Sequence, residues 1–138
     1  MRLGQNKKID LIKRAPLFAP AKKSELEKIA MIADEIDLPE GKVLIKEGDQ
    51  GREFFVLIEG TARVERDGKK IADIGPGDFF GEIALIAKTP RNATITATSP
   101  VRALVITDRD FRRLLDEQHD VAVTVLVALA DRLAPTTL

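Results

Sequence analysis

Apolar positions change their spacing twice along the chain. Over residues 6–14, Ile9, Leu11 and Ile12 stand among basic side chains, and Pro16 turns Ala15 away from helical geometry, so a short amphipathic helix is expected there. Ser24 and Glu27 have the spacing of a capping box, and Leu26, Ile29, Ala30 and Ala33 then recur on one helical face. A second helix is expected over about residues 25–34. From 35 to 107 the pattern shortens to brief apolar runs separated by Gly, Pro and Asp, the mark of a barrel or jelly roll built from many strands. Strands are expected over 35–38, 43–46, 54–58, 62–66, 69–74, 93–98 and 101–107. Asp67-Gly68 favours a tight hairpin, Glu59-Gly60 links two strands, and Ser99-Pro100 separates the last two.

Helical spacing returns at the end. Asp108 is placed to cap a helix whose face is Phe111, Leu114 and Leu115, running to about residue 118. Asp120 starts a last helix that continues to about 133, before Pro135 stops it. The expected fold is therefore α+β, an antiparallel β-barrel (jelly-roll) with flanking helices. One domain is expected over 1–138, with N-terminal helices in 1–34, strands in 35–107 and C-terminal helices in 108–134. In the last helix, Val121, Val123, Val125, Leu126, Val127, Leu129 and Leu133 leave almost no polar face. Such a helix is expected to be buried on more than one side. One side can face the strands, and the other needs a cover: a second copy through residues 120–133, giving a symmetric dimer, or a following domain.

Composition narrows the function classes. The chain has 22 basic and 22 acidic residues, so no net field attracts nucleic acid or an anionic membrane. It has no cysteine, which excludes disulfides and cysteine-ligated zinc. The basic amino terminus lacks the apolar core of a signal peptide, and the run 121–130, broken by Thr124, is too short for a membrane span. A cytoplasmic protein is expected, with no membrane insertion. Lys7, Lys8, Lys13, Arg14, Lys22 and Lys23 form either a solvated face or a partner surface. His119 is the one histidine and falls in the break between the last two helices, so metal catalysis on a related barrel is not expected and no metal site or cofactor is assigned. Ser24 and Ser99 are explained by a cap and a turn, with no nucleophile triad in prospect. A Gly-Lys-Ser/Thr phosphate loop is absent. An enzyme is not expected.

The chemistry concentrates in residues 79–98, FFGEIALIAKTPRNATITAT. Gly81 lets the backbone approach a ligand, and the helical turn over 82–86, with Ile83 and Ala84 in it, presents unpaired N–H groups at its start, where an anion is favoured. Arg91, stiffened by Pro90, can close over the same anion bidentately. Glu82 beside a phosphate must point elsewhere, and a ligand hydroxyl such as a ribose 2′-OH is its natural partner. Phe54, Phe55, Phe79 and Phe80 read as core and corner packing more readily than as platforms for a base.

The segment FGEIALIAKTPRNAT closely resembles the phosphate-binding cassette (79–94) of the cyclic-nucleotide-binding domain family, of the catabolite activator and protein kinase A regulatory-subunit type. The resemblance extends through Gly48-Asp49, residues 54–60, Gly68 and residues 75–78. It implies that Glu82 holds the ribose 2′-OH, that Gly81 and Ala84 offer backbone N–H groups, that Arg91 pairs with the exocyclic phosphate oxygens, and that Ala93 adds a backbone contact. Asn92 departs from the Ala, Ser or Thr more usual there, where Thr goes with a preference for cyclic GMP, so base selectivity stays open. The resemblance also implies terminal helices that move when ligand binds, and a purine cap from the last helix. With no Tyr or Trp in the chain, Arg132, by stacking or cation–π contact, and Thr124, by a hydrogen bond, are the candidates for that cap. Arg132 is equally readable as a solvated helix-end charge.

Two function classes follow. One is a sensor that binds a cyclic mononucleotide, cyclic AMP before cyclic GMP, and relays binding to the terminal helices. The other is an interaction module that binds no ligand and docks or dimerises through its last helix, with Glu82 and Arg91 pairing with each other. The chain ends a few residues after that helix, so a stand-alone sensor or an excised domain is expected, not a DNA-binding regulator. The sequence names no effector.

Overall fold

Strand β3, Glu53–Glu59, is buried on both sides, and the layers of the molecule follow from that. A computed structural model of the chain describes residues 3–133, apart from the side chains of Arg132 and Leu133. Before β3 come α1 (Gln5–Ile12), a 3₁₀ turn (Pro16–Phe18), α2 (Lys23–Met31), β1 (Asp34–Leu38) and β2 (Val43–Ile45). After it come β4 (Ala62–Arg66), β5 (Lys69–Ile74), β6 (Phe79–Phe80), a second 3₁₀ turn (Glu82–Leu85), β7 (Thr94–Ala97), β8 (Val101–Thr107), α3 (Asp108–Glu117) and α4 (His119–Leu133).

The strands form two four-stranded antiparallel sheets, ordered β1-β8-β3-β6 and β2-β7-β4-β5. Alternation along β3 sends Phe55 and Leu57 inward, against Ile45, Ala62, Ile95 and Ala97 of the second sheet. Phe54 and Val56 point the other way, into a core with Leu104 and Ile106 of β8 and the helices. The order is thus helices, first sheet, second sheet. The expected jelly-roll is consistent with this arrangement of two facing sheets; no ladder among the described residues joins them into a barrel, and apolar side chains from their inner faces hold them together.

Each strand expected from the pattern is present, 62–66, 69–74 and 101–107 with the expected bounds and the other four with shifted ends. The two-residue β6 was not expected, because two residues carry no period; it forms through pairing of Phe55 with Phe80. The Asp67-Gly68 hairpin is as expected, with φ of 53° and 77° at its two residues.

Helix starts differ from the sequence reading at α2, α3 and α4. Ser24 lies inside α2, not at its cap; Lys22 takes the cap position, and its N–H donates to Glu25 Oε1 at 2.8 Å. Glu25 also accepts from Thr124 Oγ1 of α4 at 2.8 Å, so a tertiary contact chose the cap carboxylate. At α3, Thr107 is the cap, its hydroxyl accepting from the N–H of Asp110 at 3.2 Å, and Asp108 is the first helical residue. His119 opens α4 instead of lying in a loop.

The 3₁₀ turn Pro16–Phe18 fastens the helices to the first sheet. Phe18 is fully buried, and its ring meets those of Phe54 and Phe111 edge-on, with centroids 5.8 and 5.7 Å away. In α4, Val121, Val125 and Ala128 face this core, whereas Val123, Leu126 and Val127 are exposed, Leu126 at 64%. Within this chain, then, the helix is buried on one side and not on two. Pro135 lies outside the described residues. Among the described residues no helix is long and apolar enough to cross a membrane.

Candidate functional site

Gly81 stands where the chain leaves the first sheet, and its φ of 84° lets Phe80 end β6 while Glu82 begins the second 3₁₀ turn. That turn, the segment 90–93 that follows and the inner faces of β2, β4, β5 and β7 enclose a cavity of about 400 Å³. The volume is in the range of small-molecule sites. Ile45, Val64, Ile74 and Ile95 give it an apolar wall; Glu82, Arg91, Asn92 and Arg66 are its polar groups. Phe80 stacks on Phe55, centroids 5.0 Å apart, and also forms part of the wall.

Arg91 is tightly held. Its side chain is only 8% exposed. Nη2 donates to the carbonyl of Glu53 at 2.8 Å, and the Glu53 carboxylate lies 3.9 Å away. Burial pushes the Arg91 guanidinium below its ordinary pKa, and the charge of Glu53 raises it part of the way back. Two glycines frame the group. A Cβ on Gly81 would come within 2.7 Å of Arg91 Nη1, and one on Gly51 within 2.9 Å of its Cζ and 2.8 Å of Ala84 Cβ. Backbone bonds hold the frame: the N–H of Arg91 donates to Asp49 at 2.7 Å, and that of Gly48 to Arg91 at 2.9 Å.

Glu82 is buried, and its Oε2 accepts from the N–H of Leu17 in the first 3₁₀ turn at 3.0 Å. The acid lining the cavity is therefore tied to the helical layer. Direct pairing of Glu82 with Arg91 is not what the structure records; Arg91 is held by Glu53.

Gly81, Glu82, Ile83, Ala84, Arg91, Asn92 and Ala93 are thus brought together around one cavity. Two details differ from expectation. The Ala84 N–H donates to Gly81 O at 3.1 Å, closing the 3₁₀ turn. Thr124 is absent from the cavity wall, because α4 packs on the helical side of the first sheet, where the hydroxyl bonds to Glu25. The Arg132 side chain lies outside the described residues. No cluster of metal-ligating side chains occurs among the described residues.

Sequence reading missed Gly51, Glu53 and Arg66. Gly51 and Glu53 are distant in sequence from Arg91, and only the fold joins them. Arg66 did leave a signal: it follows Ala62 and Val64 at strand spacing, on the inward face, where an apolar residue fits the pattern.

Comparison with known proteins identifies the family. Residues 35–118 match the family model described as the cyclic nucleotide-binding domain. The cAMP-dependent protein kinase regulatory subunit of Schizosaccharomyces pombe is 32% identical over 112 residues, which are 80% of this chain and 27% of that protein. The chain therefore spans about a quarter of the length of such curated relatives. Among solved structures, the N-terminal domain of a transcriptional regulator from Streptomyces coelicolor A3(2) superposes with a TM-score of 0.82 at 33% identity, covering 93% of this chain and 95% of that one. A cAMP-bound PfPKA-R structure gives 0.67 at 30% identity, covering 92% and 46%. Matched through its strands, its cassette and the helix that follows, the chain belongs to the cyclic nucleotide-binding domain family.

Proposed function

We propose that the cavity binds a cyclic mononucleotide, cyclic AMP in preference to cyclic GMP, and that the chain is a regulatory module of the cytoplasm without catalytic activity. The observation that carries this reading is the buried, glycine-framed Arg91 on the wall of a small-molecule-sized cavity that also holds the Glu82 carboxylate. A single donor-only fork suits one singly charged phosphodiester, and a carboxylate suits a ribose hydroxyl. In this reading the backbone of Gly81, Ile83, Ala84 and Ala93 lines the phosphate and ribose, Asn92 stands at the lip, and residues 1–138 work as one unit. The name of the fission-yeast relative supports cyclic AMP as the first ligand to try.

Binding is relayed, we infer, by a population shift. Glu82 touches both the cavity and the Leu17 N–H, and the 3₁₀ turn there packs between the first sheet and α4. A ligand that prefers one position of Glu82 thereby prefers one position of the helices, and the free energy available is its difference in affinity between the two. The test is a calorimetric titration of nucleotide-stripped protein with cyclic AMP and cyclic GMP, with 5′-AMP as control. Uptake of a cyclic nucleotide supports the reading, and no heat from folded protein sinks it.

A second reading rests on the exposed Val123, Leu126 and Val127 of α4. This face fits a second copy of the chain, making a homodimer whether or not ligand binds. Leu126→Glu is then expected to halve the mass seen by light scattering, and an unchanged mass counts against α4 as the interface.

A further inference from the structure

We infer that Arg66 is a base-reading residue that narrows the cavity's preference for cyclic AMP, because its guanidinium gives guanine a matched pair of donors that adenine can use only by half. The inference rests on the cyclic-nucleotide reading of the same cavity and adds to it the residue that reads the base.

The placement follows from the ladder. β4 pairs with β7 so that Ala62 lies opposite Ala97, Val64 opposite Ile95 and Glu65 opposite Thr94. Alternation puts Arg66 on the face of Ala62 and Val64, and the next step of the register sets it beside Ala93. That face is the inner one: Ala62 is in the core between the sheets, and Val64 and Arg66 both line the cavity. A cation therefore stands at the end of an otherwise apolar inward row.

Arg66 is also held there. Its Nε donates to the backbone carbonyl of Asn92 at 2.8 Å, which fixes the guanidinium at the lip of the cavity, beside the cassette. A guanidinium carries five N–H groups, and this bond uses one. The remaining N–H groups of Arg66 hold no partner among the described residues. The edge formed by its two Nη groups is thus available to a ligand.

With Arg91 taking the phosphate and Glu82 the ribose, the apolar Val64 and Ile74 are left for the flat face of the base. Arg66 comes next along β4, at the ring's edge. Guanine offers two acceptors on one edge, O6 and N7; adenine offers N7 and an amino group that is itself a donor. A donor-only fork satisfies both guanine atoms, and it leaves the adenine amine facing another donor. Because Arg66 is exposed, the effect belongs at the low end for one bidentate arginine contact, roughly five- to tenfold in affinity.

The test is a parallel titration of nucleotide-stripped wild type and Arg66→Leu with cyclic AMP, cyclic GMP and cyclic IMP, after matched thermal midpoints have shown that both are folded. Cyclic IMP keeps O6 and N7 but lacks the 2-amino group. Arg66→Leu is expected to weaken cyclic GMP and cyclic IMP by roughly five- to tenfold and to change cyclic AMP by less than about twofold, raising the cyclic AMP to cyclic GMP preference. Equal losses for all three would make Arg66 a phosphate partner and overturn the inference. So would no change at all, or a loss confined to cyclic GMP, which would point to the 2-amino group. A wild type that takes up none of the three removes the site reading itself, a result distinct from each of these.

Discussion

Glu82 and Arg91 belong to one cassette and line one cavity, yet they are anchored in different layers of the protein. Arg91 is fixed to the strand side: Glu53 O holds its Nη2, Gly51 and Gly81 shape its slot, and Asp49 holds its backbone. Glu82 is fixed to the helix side, through the N–H of Leu17. A ligand that engages both therefore bridges a framework of paired strands and a set of packed helices. On the proposed cyclic-nucleotide reading, this difference would give affinity chiefly to Arg91 and communication chiefly to Glu82.

The largest effect is expected at Arg91. Arg91→Ala removes the buried cation and is expected to cost about 2–5 kcal/mol of cyclic-nucleotide binding, as when one side of a buried charge pair is lost. Calorimetry checks it, and retained affinity would take Arg91 out of the site.

Glu82→Ala acts in both layers. It is expected to close the affinity gap between cyclic AMP and its 2′-deoxy analogue, and to cost about 1–3 kcal/mol of stability by leaving the Leu17 N–H without its carboxylate. If the gap persists, the hydroxyl assignment is wrong. If denaturant unfolding shows unchanged stability, Glu82 does not fasten the helices.

Gly51→Ala isolates the slot, because its backbone needs no positive φ and only packing is disturbed. The added methyl meets Arg91 and Ala84, an overpacking worth about 1–3 kcal/mol, and is expected to weaken binding while the circular dichroism spectrum stays that of wild type. Unchanged affinity would mean that the slot does not position the guanidinium.

The smallest effect is expected away from the cavity wall, where Lys28 Nζ of α2 meets Asp120 Oδ2 of α4 at 2.8 Å. The hydrogen bond from Lys28 is the main cause holding the Asp120 carboxyl below its ordinary range. A folded-state value below the unfolded one contributes stability that is complete above the unfolded value and lost as pH falls through the folded one. Both groups are partly exposed, so solvent screens the pair. Lys28→Met is expected to lower the thermal midpoint slightly at pH 7 and not at all once acid has protonated Asp120. A loss that persists in strong acid would assign the effect to packing instead of charge.

Local pattern was enough for much of this protein. Period-two alternation, the Asp67-Gly68 turn and helical spacing located every strand but β6 and the four main helices, because each depends on residues close together in the chain. The cassette was legible for the same reason: Gly81 through Ala93 form one continuous segment, and its glycine, acid and arginine already gave it the family's cassette pattern.

Contacts between distant segments decided the rest. That the strands make two facing sheets, that Glu25 and not Glu27 caps α2, and that Thr107 caps α3 depend on which partners each group meets after folding. The same holds for Thr124, which the sequence offered as a base cap and which the packing of α4 gives to Glu25. Gly51 and Glu53 became part of the site only when the loop before β3 was laid against the cassette. Sequence by itself determined the elements and the chemistry of one contiguous loop, since propensity and spacing are short-range. Only the tertiary structure decided which layer each cavity-lining side chain is bound to, since an arginine or a carboxylate states its charge in the sequence and finds its partner in the fold.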